Sequence, residues 1–210
     1  MAQVNSLNVV GYVTKSVPAA GKYAMFANPL TTTNDTIGGL IDTTATGLGV
    51  NGQVLKWNGT SFNPYKRVSF GNGWTPSTAP TVSLKPGEGF FVQSPPASVN
   101  AVSNIYIGNV LQSFSITSSG SMSNHLVAGY NMIGSQVPVS NNIAALGLII
   151  PFSSSPQNQV LTWNVGTQGY NPFKRLSFGW TPAEPGVDVG EGFFAQVAAP
   201  QDWIQNFTVQ

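Results

Sequence analysis

The same succession of motifs runs through this chain twice, and that duplication restricts its possible folds more than any other feature. Tyr23–Phe26 returns as Tyr130–Ile133, Ile37–Leu40 as Ile143–Leu146, and QVLKWN from Gln53 as QVLTWN from Gln159. NPYKRVSFGNGW at 63–74 returns as NPFKRLSFGW at 171–180, and GEGFFVQ from Gly87 as GEGFFAQ from Gly190. The order never changes, while the spacing between equivalents stays between 108 residues (Asn63 to Asn171) and 103 (Gly87 to Gly190). Fixed order with small loop differences is the mark of one structural unit used twice. Residues 1–112 and 113–210 are therefore expected to be two domains of one fold, joined by a polar linker around Gln112–Ser123.

Each copy reads as β. Leu7, Val9, Gly11, Val13, Lys15 and Val17 recur at a period of two, as in a half-buried strand, and Pro18 closes it. Short apolar runs follow at 22–27, 53–57, 66–70, 89–93 and 105–111. Turn formers such as Asn28-Pro29, Asn51-Gly52, Asn72-Gly73 and Pro86-Gly87 separate them. About six or seven short strands per copy predict an all-β protein of two tandem antiparallel β-sandwiches or small barrels. Helix is expected only at Asn34–Ile41 and Asn141–Leu148, each a turn or two behind an asparagine cap.

Composition narrows the function. Apolar residues make up 41% of the chain and can fill two cores, and 5 Trp, 6 Tyr and 12 Phe argue against disorder. Only 7% of residues are charged, against about 25% in ordinary domains. A net charge of +1 gives no general attraction for nucleic acid or anionic lipid. No apolar run reaches the roughly 18 residues of a bilayer-spanning helix. Neither nucleic acid nor membrane insertion is expected. The absence of Cys excludes disulfides, a thiol nucleophile and thiolate metal sites. Met1-Ala2-Gln3-Val4 reads as an initiator methionine on a mature chain whose signal peptide is removed, and the Ser/Thr/Asn-rich loops suit an extracellular setting.

Reactive constellations are sparse. His125 is the only histidine, and no G-x-S-x-G elbow accompanies it. Gly47–Gly52 matches G-x-G-x-x-G in form, but it opens a strand and has no counterpart in the second copy, so it reads as a loop. Asp35, Asp42, Asp188 and Asp202 have no metal-loop spacing. Glu88 and Glu191 are the only acids repeated in both copies. A glycosidase would need them about 5–9.5 Å apart, whereas Gly-Glu-Gly also makes sense as a tight turn into a buried Phe-Phe strand. No catalytic residue, metal or cofactor is expected.

Two repeated features remain. Trp57, Tyr65, Trp74, Trp163, Phe173 and Trp180 form either a sugar-stacking platform or core, and their exposure separates the two. Lys66-Arg67 and Lys174-Arg175 hold half of the eight basic residues. In a strand, one member of each pair lies on each sheet face. One member is expected to form an ion pair with the Glu of its own copy, Glu88 or Glu191, and the other to point outward over an aromatic ring.

The elements KYAMFANPL and GYNMIGSQV, VLKWNGTSF and VLTWNVGTQ, and KPGEGFFVQ and DVGEGFFAQ, together with the opening SLNVVGYVTKSVPA, give nearly all of both copies a resemblance to a group of secreted bacterial tandem-repeat β-sandwich proteins. The second copy departs from the pattern, lacking Asn-Pro after its first element and Pro before Gly190. The resemblance implies a secreted or envelope location and a structural, adhesive or binding role, and it carries over no catalytic residue.

The expectation is a non-catalytic extracellular structural protein that associates with copies of itself. Tandem carbohydrate binding is the alternative and a glycan-active enzyme a distant third. With so few charges, Thr31–Thr33, Ser113–Asn124 and Pro151–Val160 are expected to expose polar surface and unprotected strand edges, and WIQNFTVQ at 203–210 to be able to join a neighbour's sheet.

Overall fold

A computed structural model describes residues 9–44, 46–111 and 122–207. The first repeat contains β1 (Val10–Val17), β2 (Tyr23–Ala27), one helical turn α1 (Ile37–Leu40), β3 (Gln53–Trp57), β4 (Phe62–Arg67), β5 (Trp74–Thr75), β6 (Gly89–Gln93) and β7 (Val102–Asn109). The second contains β8 (Met122–Leu126), β9 (Gly129–Gly134), β10 (Asn141–Asn142), β11 (Gln159–Asn164), β12 (Gly169–Leu176), β13 (Gly179–Thr181), β14 (Gly186–Val187), β15 (Gly192–Val197) and β16 (Gln201–Gln205).

The fold is all-β and its strand pairs are antiparallel. One five-stranded sheet runs β2-β6-β3-β4-β5, and its counterpart runs β9-β15-β11-β12-β13, the same order built from equivalent strands. A two-stranded ribbon accompanies each sheet, β1-β7 in the first repeat and β8-β16 in the second. Sheet and ribbon enclose one core per repeat. Phe26, Val54, Phe90, Val92 and Tyr106 belong to the first, and Ile133, Val160, Phe193, Ala195 and Trp203 to the second.

Strand periodicity puts alternate residues on the opposite face of each sheet, and there the two repeats meet. Met25 and Phe91 of one sheet and Met132 and Phe194 of the other form a third buried cluster, flanked by Tyr23, Leu55, Trp57, Phe62, Leu161 and Trp163. Edge-to-face ring contacts cross it, Trp57 on Phe194 at 5.3 Å and Phe91 on Trp163 at 4.9 Å between centroids. Such geometry adds about 0.5–1.5 kcal/mol per pair beyond area burial. Both faces of each sheet are thus covered, which explains why YAMFA, GFFVQ and GFFAQV are almost continuously buried instead of alternating.

The contact is reciprocal. The Trp57 indole N–H donates to the Tyr130 carbonyl (3.1 Å), and the Trp163 indole N–H donates to the Tyr23 carbonyl (3.0 Å). Ala27 N–H donates to Gly190 O (2.9 Å), and Gly134 N–H to Gly87 O (3.0 Å). Isolated bridges Phe26–Glu191 and Glu88–Ile133 complete the symmetry. Each Gly-Glu-Gly turn therefore lies against the edge strand of the other repeat. Its second glycine is required by that approach: a Cβ on Gly89 would stand 2.9 Å from the Ile133 nitrogen, and one on Gly192 would meet the backbone of Phe26.

Four expectations need correction. The first helix is a single turn capped by Thr36, which accepts from Gly39 N–H (3.3 Å), because Gly38-Gly39 propagates helix poorly. Residues 141–148 form no helix: Asn141 and Asn142 pair with Val187 and Gly186, and a turn follows. Trp203–Gln205 is not a free terminal segment, since it pairs with Met122–Asn124 of its own repeat, and residues 208–210 lie outside the described residues. The edges of the two large sheets are not open either. β2 and β9 are closed by the other repeat, while β5 and β13 are two and three residues long and run into Pro76 and Pro182. Of the stretches read as exposed, Thr33 and most of 151–156 do stand in solvent, Thr31 pairs with Asn109, Asn158 and Val160 are buried, and residues 113–121 lie outside the described residues.

Because both repeats share the central cluster, they are expected to unfold together. Phe194→Ala or Phe91→Ala should each lower stability by about 3–5 kcal/mol and keep a single calorimetric transition. Two separate transitions in either variant would contradict a shared core.

Candidate functional site

The repeated basic pairs divide as strand geometry requires. Lys66 and Lys174 are exposed, whereas Arg67 and Arg175 turn toward the cores. The Arg67 guanidinium lies 5.1 Å from the Trp74 ring centroid and donates to Gly73 O (2.7 Å). Arg175 lies 5.8 Å from Trp180 and donates to Ile150 O (3.2 Å). Both arginines therefore stack on an indole and anchor a loop, but they do so from the core side of the strand and not from the outward face expected, because the aromatic ring belongs to the core.

Neither pair reaches a glutamate, and the expected ion pairs of Glu88 with Lys66 or Arg67, and of Glu191 with Lys174 or Arg175, are absent. Register explains why. β3 separates β4 from β6, and Lys66 aligns through Gln53 with Gln93. That is five residues beyond Glu88, or about 17 Å along a strand. Lys174 aligns through Gln159 with Gln196, and the same displacement separates it from Glu191.

Lys56 is the actual partner of Glu88. It sits on β3 opposite Phe90, and its ammonium lies 3.2 Å from the Glu88 carboxylate and donates to Ser83 O (2.7 Å). The carboxylate also accepts from Lys85 N–H (2.7 Å), which closes the turn. In the second repeat Asp188 N–H donates to Glu191 in the same way (2.9 Å), but Thr162 occupies the position of Lys56. Burial pushes the Glu191 carboxyl above its usual range, opposed by the Asp188 N–H and by the positive charge of Lys15. Lys15 belongs to β1 of the other repeat, and its Cε lies 3.1 Å from where a Gly190 Cβ would be. Lys56 was visible in the sequence as the Lys/Thr difference between QVLKW and QVLTW. Nothing in either motif pointed to Lys15.

The candidate stacking aromatics do not form an outward platform. Trp74 is 6% exposed. Tyr65 packs on the first core, and Phe173 and Trp180 on the second. Trp57 and Trp163 belong to the cluster between repeats, with their indole N–H groups occupied by the opposite chain segment. The repeated glutamines have a structural account too: Gln53 donates to Gln93 (2.6 Å) and Gln159 to Gln196 (2.7 Å) across neighbouring strands. The repeated aromatics that stay in solvent are Phe70 and Phe178, 70% and 82% exposed at the tips of the β4-β5 and β12-β13 hairpins. His125 faces Asp202 across β8-β16 at 2.7 Å in an exposed pair.

Among the described residues no three His, Asp or Glu side chains come together to hold a metal ion, and no helix is long and apolar enough to cross a membrane.

A double-mutant cycle between Lys56 and Glu88 should give a coupling of about 1 kcal/mol, the level of a part-buried pair, and a cycle between Lys66 and Glu88 none. The reverse pattern would reject the assignment. Glu191 gives a pH test. Its folded-state pKa is raised above the unfolded value, so the stability contributed by its protonated form is complete below the ordinary carboxyl range. That contribution is lost as pH rises through the raised pKa. Glu191→Gln, which keeps the acceptor and removes the charge, should raise the melting temperature at pH 7 and leave it almost unchanged near pH 4. An equal loss at both pH values would contradict the burial account.

No protein-family model, curated protein or solved structure matches the chain.

Proposed function

We propose that this protein is a non-catalytic structural element of an extracellular or cell-envelope assembly and associates with copies of itself. The observation that carries this reading is the use made of the repeated motifs. Trp57 and Trp163, Phe91 and Phe194, and the two Gly-Glu-Gly turns all serve to lock one repeat against the other. The repeated Glu88 and Glu191 carboxylates bind back to their own turns through Lys85 and Asp188 N–H, so they act as turn closures and not as convergent acids. Low charge supports the reading as well: a net charge of +1 leaves little repulsion between copies. The motif resemblance to secreted tandem-repeat proteins is the support for an extracellular location.

The carbohydrate-binding alternative has less support, because the repeated aromatics named for stacking, Trp57, Tyr65, Trp74, Trp163, Phe173 and Trp180, pack on the cores or between the repeats. Light scattering over a wide concentration range should give a mass that rises with concentration, without retention of the protein on immobilised polysaccharides. A constant monomer mass, together with polysaccharide retention lost in Trp57→Ala or Trp163→Ala variants that still fold, would reverse the order of the two readings.

A further inference from the structure

The ribbons offer an internal comparison, because β1-β7 and β8-β16 occupy equivalent places over their sheets. Leading from Val17 into β2 and from Leu126 into β9, β1 and β8 align end to end, and their partners pair in the same antiparallel sense. On the outward face of β8-β16 stand Ser123 and His125 opposite Ile204 and Asp202, a mostly polar surface with a cross-strand histidine–aspartate pair. The outward face of β1-β7 is different. Tyr12 stands opposite Ile107 and Thr14 opposite Ile105, with Val10 beside them. Val10, Tyr12 and Ile107 are 67%, 65% and 60% exposed. The rest of this face is Thr14, Ser16, Ser103 and Asn109, and it carries no charge. Lys15 points to the opposite side, toward Gly190.

The fold does not require an apolar surface at this position, since the second repeat places a serine and a histidine–aspartate pair there. Val10, Tyr12, Ile105 and Ile107 together present on the order of 400 Å² of apolar surface, the scale at which patches on soluble proteins mark contact sites. An isologous contact between two such faces would bury roughly 1,000 Å² in total once the threonine, serine and asparagine rim is included, which reaches the range of specific interfaces. An uncharged face with an apolar centre and a neutral polar rim is complementary to itself. It offers no cation to a phosphate and no anion to a basic partner.

From this we infer that the outward face of the β1-β7 ribbon is a contact surface for a second copy of the chain, the two ribbons packing face to face about a two-fold axis. This rests on the self-association proposed above and assigns it to one face. The test is sedimentation velocity over a range of concentrations on the full chain and three variants, Ile107→Glu, Tyr12→Glu and, on the other ribbon, Ile204→Glu, with melting temperatures measured alongside. The wild type should dimerise. Ile107→Glu and Tyr12→Glu should each raise the dimer dissociation constant about tenfold or more at nearly unchanged melting temperature, and Ile204→Glu should leave it unaltered. Wild-type association that persists in Ile107→Glu and Tyr12→Glu, or that Ile204→Glu weakens equally, would overturn this assignment and leave self-association standing on another surface. A strictly monomeric wild type would overturn both. A monomer whose melting temperature falls sharply in Ile107→Glu would mean that the chain covers this face itself, which also rejects the inference.

Discussion

Everything else in this molecule depends on the reciprocal closure of two edge strands. An isolated five-stranded sheet of this kind would present β2 or β9 as an open edge and one face of aromatic and methionine side chains to water. Placing a second copy of the unit against that face removes both problems at once. The Gly-Glu-Gly turn of each repeat bonds to the end of the other's edge strand, and the indole of each repeat bonds to a carbonyl at that strand's start, Tyr130 or Tyr23. The result is a pseudo-symmetric dimer within one chain, in which four layers stack as ribbon, sheet, sheet and ribbon. The duplicated sequence is therefore a requirement of the architecture, because half of it leaves a hydrophobic face without a cover.

Within that shared frame the repeats have diverged where charge is concerned. Glu88 is neutralised by Lys56 of its own repeat, while Glu191 faces Thr162 at the equivalent position and feels Lys15 from the opposite repeat. Asn124 corresponds to Lys15 in the second ribbon, and it reaches the opposite turn as a neutral donor, to Gly87 O at 3.3 Å. One lysine therefore serves each glutamate, from a different place in each case. The outward ribbon faces have diverged further, to a histidine-aspartate pair on one and tyrosine with isoleucine on the other. Divergence on the surface over a shared sheet order is what separate surface roles on one scaffold require.

Much of the fold was legible in the chain. Period-two alternation at Val9–Val17 gave a strand with one face to solvent, and the duplicated motif order gave two copies of one sheet order. Arg67 and Arg175 lie over tryptophans, as an alternating strand next to an aromatic strand allows. What was not legible depended on strand order and register. The sequence places Lys66 and Glu88 in one repeat, but not that β3 intervenes and shifts them by five residues. Likewise GFFVQ reads as buried, but not that one of its faces is buried by the other repeat. Trp57 was ambiguous for the same reason: its environment is completed by Tyr130 and Phe194 of the other repeat.

The indole protons of Trp57 and Trp163 report on the contact between repeats more directly than any other groups, since each is hydrogen-bonded across it. Hydrogen exchange of these two protons, followed by NMR under native conditions, tests whether the sheets stay closed. The account predicts that both exchange with a free energy close to that of global unfolding, together with the amides of β6 and β15. Exchange of either indole at the rate of an exposed tryptophan, while the β6 and β15 amides remain protected, would mean that the two sheets separate without unfolding and would contradict the account.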